Sequence, residues 1–585
     1  MPRRTLALAV VIFLSAVGSR ILAEETSLAN LGKKISNFTL LDVRERRQVS
    51  LADFKNKKAV VVVFLGTECP LNNAFLPRLA ELHEEFASKG VQLLGINSNR
   101  QDSAAAVAAH ARKRTIPYPV LKDPGNKVAD QFGARRTPEA FVLDTDGKIR
   151  YQGRIDDQFG IGFQRPQSTR RDLAEAIDEI LAGKAVSQPT TPVAGCRIGR
   201  EAPTKSHAPI TYSKDVARIL QKNCQECHRP GQIGPMSLLN YDDAVSWAAT
   251  IREAVSDDRM PPWHADPRYG KFSNDRRLSA EDKRTLLAWI DQGCAKGDDK
   301  DFPRPREFPE GWRIGKPDLV LTMNEEFGVP AKMPKWGVPY KHFEVPTNFN
   351  EDRWVQRAEA KPGSPEVVHH IVVFVVPPGK FFNPNDPKNP VLCGTAPGDM
   401  PAILAPGMGK KIPAGSRLVF QMHYTPSGKP AKDRSSVGLI FAKEPPKAMV
   451  RTVPVFNAMF RIPPGAENYE VQSEFAFQRD GRIVAFMPHM HLRGKDFRYQ
   501  AIYPDGKKEI LLSVPRFNFG WQSVYRLAEP KQLPKGTKVH CLAHFDNSAK
   551  NPNNPDAAKT VFWGDQTWEE MMIGWMDFIY DDKVN

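Results

Sequence analysis

At 585 residues the chain exceeds what one hydrophobic core serves, which favours three or four domains. Its 41% hydrophobic and 25% charged residues exclude a disordered chain or a membrane bundle. The formal charge of +15 comes from scattered Lys and Arg with no nucleic-acid reader motif, and seven cysteines are too few for a disulfide scaffold.

Arg3 and Arg4 precede an apolar run from Leu6 to Val17, with small residues and a cleavage point after Gly18 or Ala23. Residues 1–23 therefore read as a signal peptide, and the chain as exported to a periplasmic or extracellular space. The run falls short of the roughly 20 apolar residues a membrane span needs, and no later segment is long enough.

Residues 31–185 alternate strand and helix signals: the β-branched run Ala59 to Leu65, a helical stretch after Pro70, a strand from Val91 to Asn97 and a helix from Ala104 to Lys113. This pattern predicts an α/β domain. Cys69 follows an apolar strand and opens a helix, where the dipole and backbone amides lower a thiol pKa. The segment resembles the redoxin branch of the thioredoxin fold, and Arg136-Thr137-Pro138 matches the loop where that fold keeps its cis-proline opposite the thiol. The second cysteine of C-x-x-C is Asn72 here, and the peroxiredoxin threonine expected three residues before the cysteine is Gly66, with Thr67 one place late. Cys69 is read either as a peroxidatic or mixed-disulfide thiol, with Cys196 as a partner, or as part of a redox-silent docking domain.

Residues 186–208, rich in Pro, Thr and Gly, read as a linker. Helical signals return over 209–300: Val216, Ile219 and Leu220 share a face, Ala244 to Val255 forms a second helix, and Ala280 to Ile290 a third with Ser279 as N-cap. Cys224-Gln225-Glu226-Cys227-His228 suits one covalent c-type haem, two thiols for the vinyl groups and His228 for the iron. The competing reading is a redox or zinc pair with an incidental His. Met260, in the Pro-rigid Arg259-Met260-Pro261-Pro262-Trp263 loop, is the candidate sixth ligand and Met236 its competitor. The segment resembles cytochrome c domains attached to larger bacterial enzymes.

After a second linker, 301–316, short β-branched runs at Ile371 to Val376, Arg417 to Met422 and Ile483 to Met487 predict an all-β region of sandwich type. Its histidines cluster: His369-His370, His423, His489 and His491, and His544. Residues two apart on a strand share a face, so His489 and His491 can chelate one metal. Adjacent His369 and His370 face opposite ways on a regular strand, so sharing a metal requires a bulge or different ring nitrogens.

Together with Asp565-Gln566-Thr567-Trp568-Glu569-Glu570-Met571, these motifs resemble the copper type II, ascorbate-dependent monooxygenases, the family of peptidylglycine α-hydroxylating and dopamine β-monooxygenases. The resemblance implies two consecutive jelly-roll-like β-sandwiches, 317–445 and 446–585, each holding one copper. It implies His369, His370 and His423 as ligands of the electron-transfer copper, and His489, His491 and Met571 as the second site. A soft thioether favours Cu(I), and a two-nitrogen, one-sulfur set leaves positions open for oxygen. His544 belongs to neither site. Met487 stands where the family's carboxylate-binding Arg is expected, Trp575 replaces an assisting Tyr, and Met572 replaces a Cys that would pair with Cys541. These departures disfavour a carboxylate-ended peptide and make the pocket more apolar.

The expectation is thus a copper monooxygenase hydroxylating a C–H bond of a small-molecule or peptide substrate with O₂. One haem c would receive electrons from an external donor and pass them to the His369/His370/His423 copper. The alternatives are a non-catalytic electron-transfer or copper-handling protein, and a thiol peroxidase or disulfide oxidoreductase acting through Cys69. No nucleic-acid partner is expected.

Overall fold

The computed structural model describes residues 30–581, except 166, 201–208, 310, 333, 335–337, 385, 387, 388 and 396–400. The signal peptide expected at 1–23 lies outside the described residues. Among those described, no helix is long and apolar enough to cross a membrane.

The first unit is a seven-stranded sheet whose centre is the parallel trio Val120–Lys122, Val91–Asn97 and Ala59–Phe64, continued antiparallel by Glu139–Leu143 and Ile149–Gly153. Side chains alternate across a strand, and both faces of this sheet are covered, so the central strand must be apolar at every position. Val61 and Val63 enter the core beneath helix Pro70–Ala87, while Val60, Val62 and Phe64 enter the opposite one. Helix Pro70–Ala87 packs through Phe75, Leu76, Leu79, Leu82 and Phe86, a stripe at helical spacing.

The segment read as a linker is ordered over part of its length. Cys196–Arg197 forms a short strand antiparallel to Arg136–Thr137, and Ile198 is buried in the core with Val60, Val62 and Phe64. A Pro-, Thr- and Gly-rich composition hides such a strand because two residues carry no periodicity.

The helical unit packs Tyr212, Leu220, Trp247, Ile251, Leu286 and Trp289 into one core. The single helix expected from Ala244 to Val255 is two, Tyr241–Ser246 and Ala248–Ser256, broken at Trp247, whose ψ of 5° departs from the helical value. The first helix opens with a π-helical turn, Tyr212–Val216, before Ala217–Asn223. Ser279 caps the last, Ala280–Asp291, by accepting from the Asp282 amide at 3.0 Å.

The remaining chain is β-rich and forms two units, each of two sheets facing across a core. In the first, Val355 and Leu439 from one sheet meet Val373 and Phe420 from the other. In the second, Phe486 and Phe578 meet Tyr499 and Val539.

Candidate functional site

Cys69 is the N-cap of helix Pro70–Ala87 and is fully buried. Its sulfur donates to the Thr137 carbonyl at 2.9 Å and accepts from the Asn72 amide at 3.5 Å. The Thr137–Pro138 peptide is cis, as the resemblance implied. Cys196, opposite Thr137 on the added strand, lies close enough to Cys69 for each thiol to shift the other's titration. Burial pushes the Cys69 thiol up, but the neighbouring Cys196 and the Asn72 amide outweigh it and bring it down to about 6. Cys196 moves the other way, raised by the neighbouring Cys69 and then by burial. Both are free thiols.

The two sequence departures have structural counterparts. Asn72 turns its amide to the Gly66 carbonyl at 2.7 Å, so the position offers a clamp where a second thiol would stand. A Cβ at Gly66 would lie 2.9 Å from both Asn99 Nδ2 and Thr137 Oγ1, leaving no room for threonine. The Thr67 hydroxyl donates to Asp102 at 2.6 Å.

The second candidate site lies in the β half. Strand Val368–Val376 pairs with Arg417–Tyr424, placing His370 opposite His423, and the register shifts between Val368 and His370. That bulge lets adjacent His369 and His370 serve one site. A ligand atom from each of His369, His370 and His423 lies within 4.8 Å of the others. His423 Nδ1 is buried with no hydrogen-bond partner, an orphan that a cation would satisfy. Burial lowers all three imidazoles, His369 to about 4 and His423 to about 3, with the neighbouring histidines adding to it. They are neutral at pH 7, the state a metal requires.

His489 ends strand Gly481–His489 and His491 lies just beyond it, their ring centroids 5.2 Å apart. His489 Nδ1 meets Gln522 Oε1 at 2.5 Å, and His491 Nδ1 meets the Glu569 carbonyl at 3.2 Å. Both contacts fix the ring and leave Nε2 for a ligand. Glu570, pushed up to about 8 by burial, accepts from the amides of His491 and Arg493. Met571 lines a cavity of about 300 Å³ with His370, His489, Tyr340, Met487 and Trp575. Its neighbour Met572 is fully buried in the core. Met571 and His489 line that cavity together while His491 is not part of its lining, and a thioether beside an imidazole suits a soft metal.

Sequence reasoning missed Gln522, Tyr340 and Phe519, and named Glu570 only within the motif that leads to Met571. Phe519 stacks on His369 at 5.2 Å and meets His491 edge-on at 5.9 Å, so one ring touches both imidazole sets. The aromatic and glycine run around Phe519 was the available signal, but it has no strand or helix period. His544 stands apart, paired with Asp496 at 2.8 Å.

In the helical unit, the amides of Cys227 and His228 both donate to the Cys224 carbonyl, a tight turn that brings thiols and imidazole together. His228 Nδ1 meets the Met236 carbonyl at 3.2 Å, leaving Nε2 free for iron. Burial lowers His228, partly offset by that bond, and raises Cys224 to about 12. These residues fit a covalent haem. Met236 is thus engaged near His228 through its backbone. Met260 lines a cavity of about 440 Å³ with Trp263 and His264, whose described lining does not include His228.

Residues 31–152 match the family model of the AhpC/TSA family. Thiol-disulfide oxidoreductase ResA of Bacillus thuringiensis subsp. konkukian is 30% identical over 119 residues, which are 20% of this chain and 66% of that protein. Peroxiredoxin Q, chloroplastic, of Oryza sativa subsp. japonica is 32% identical over 127 residues, 20% of this chain and 57% of that one. The chain thus spans just under two thirds of the length of the first of these relatives. Among solved structures, a hypothetical protein of Sinorhizobium meliloti 1021 is 30% identical, with 30% of this chain and 96% of that one covered at a TM-score of 0.27. The first unit is a thioredoxin-like redoxin domain, and the chain is multidomain with large β-rich regions.

Proposed function

We propose that this chain is an oxidoreductase whose redoxin domain exchanges thiols and disulfides through Cys69. The observation that carries this reading is a helix-capping thiol, lowered to about 6, against the cis-Pro138 loop. The relatives at 30% and 32% identity, a thiol-disulfide oxidoreductase and a peroxiredoxin, support it. Exchange is favoured over peroxide reduction because the Thr67 hydroxyl is committed to Asp102 and no side chain stands at Gly66. Reduced full-length protein should release thiol from a small aliphatic disulfide, and Cys69→Ser should abolish it. Equal release by the variant would refute the reading, and turnover of hydrogen peroxide instead of the disulfide would convert it to a peroxidase.

The convergence of His369, His370 and His423 favours a second reading for the β half: two copper sites, C–H hydroxylation with O₂, and a haem c on Cys224, Cys227 and His228 as electron donor. When bound, copper supplies one-electron chemistry and oxygen activation, and haem c supplies electrons. The protein's part is to keep the imidazoles neutral, to orient His489 through Gln522 and His491 through Glu569, and to offer a mostly apolar cavity. Met487 and Trp575 face each other across paired strands in its wall, beside the charged Asp565, Asp577, Lys410 and Arg526. Covalent haem attachment and export are proposed together. Elemental analysis of protein matured with copper and haem should give two coppers and one iron per chain, and His423→Ala should lose one copper. Full copper retention by that variant would remove the first site from the proposal.

A further inference from the structure

The redoxin motif lacks its second cysteine at Asn72, yet a thiol touches Cys69 from elsewhere in the chain. Resting on the thiol reading above, we propose that Cys196 is the second redox thiol, forming a reversible disulfide with Cys69 and serving as the sulfur that external thiols attack.

The strand that carries Cys196 is built to hold it there. Cys196 pairs with Thr137, whose carbonyl accepts from Cys69, so both thiols converge on one residue. A Cβ on Gly195 would lie 2.2 Å from the Thr137 carbonyl oxygen, so only glycine permits this approach. Arg136 Nη1 donates to the Gly195 carbonyl at 2.8 Å, and the Ile198 amide donates to the Arg135 carbonyl at 2.9 Å. On the far side the Arg197 guanidinium pairs with Glu253 at 3.0 Å and its amide donates to Thr250 Oγ1 at 3.1 Å, both on helix Ala248–Ser256. Anchored at both flanks, the thiol has little freedom to leave, which raises its effective concentration at Cys69.

Exposure assigns the order of events. Cys69 is fully buried beneath this strand, whereas Cys196 is half-buried. In the disulfide form an external thiolate reaches Cys196, forms a bond to its sulfur and breaks the S–S bond, so Cys69 leaves as thiolate. A thiol of low pKa is the better leaving group. A second external thiolate then attacks the external sulfur of the mixed disulfide, giving a small-molecule disulfide and releasing Cys196, which takes up a proton. Two external thiols are oxidised, the protein disulfide is reduced by two electrons, and one proton stays in solvent while Cys69 remains thiolate. Reduction of an external disulfide is the reverse path.

The test oxidises reduced full-length protein with diamide and maps its peptides without reduction. A peptide pair joined through Cys69 and Cys196, two hydrogens lighter than the separate peptides, is expected. Brief treatment of that form with glutathione, followed by acid quenching, should leave the glutathione adduct on Cys196. A Cys196→Ser variant should instead hold mixed disulfides on Cys69. If Cys69 in wild type takes up glutathione from its disulfide while Cys196 stays a free thiol, the inference fails and the thiol reading survives. If Cys69 stays unmodified under both treatments, both fall.

Discussion

Single residues decide chemistry here where neighbours of the same type decide only packing. Met571 faces the cavity beside His489, while Met572 is fully buried among the core side chains of the last β unit. Met572→Ala should therefore cost about 2–5 kcal/mol in urea unfolding. Met571→Ile, a volume-conserving change, should stay within about 1.5 kcal/mol while lowering copper content. Residue identity was legible in sequence for Cys69, the Cys224–His228 motif and the histidine pairs, because each type carries its own chemistry. Their partners were not: Gln522 and Phe519 are far in sequence from His489 and His369, and only chain folding brings them together.

At the scale of elements, two periodic signals gave true bounds, whereas the helix expected from Ala244 to Val255 is broken at Trp247. Strand Val91–Asn97 and helix Ala104–Lys113 run where the pattern put them, since each buries a regular face. The Cys196–Arg197 strand is too short to have a pattern, although a cysteine following glycine in a Pro-rich stretch was the available sign. Adjacent histidines sharing a site need a bulge or different ring nitrogens, and the register shift between Val368 and His370 supplies a bulge. Because Gly195 lies against the Thr137 carbonyl, Gly195→Ala must push its strand outward. Displacement of a reacting group by about an ångström costs up to about 100-fold. Stopped-flow formation of the Cys69–Cys196 disulfide should slow by at least about tenfold in that variant, with the redoxin domain still folded by circular dichroism.

Across the whole molecule, units that read as beads on a string are tied together. Arg136 and Arg197 of the redoxin side both bind Glu253 of the helical unit. Trp263, the last residue of the Met260 loop, and Ala265 enter the core of the last β unit, with Trp263 edge-on to Tyr525 at 4.9 Å. Asn274 donates to the Val524 carbonyl at 2.7 Å, two residues from the Gln522 that orients His489. The haem motif's unit therefore packs against the β unit of His489 and His491. Trp263→Ala should destabilise that β unit by about 3–5 kcal/mol, read as a lowered midpoint of its own unfolding transition. That Cys69 is the working nucleophile is tested most directly by following its exchange with a small disulfide in the full-length Cys196→Ser protein, where the adduct stays on Cys69, from pH 4 to 10, residue by residue in a mass spectrometer. Because its thiol is lowered from 9.0 to about 6, the rate should rise with thiolate through pH 6 and level off above about pH 7. A rate still climbing through pH 9, or no adduct at Cys69 at any pH, would contradict it.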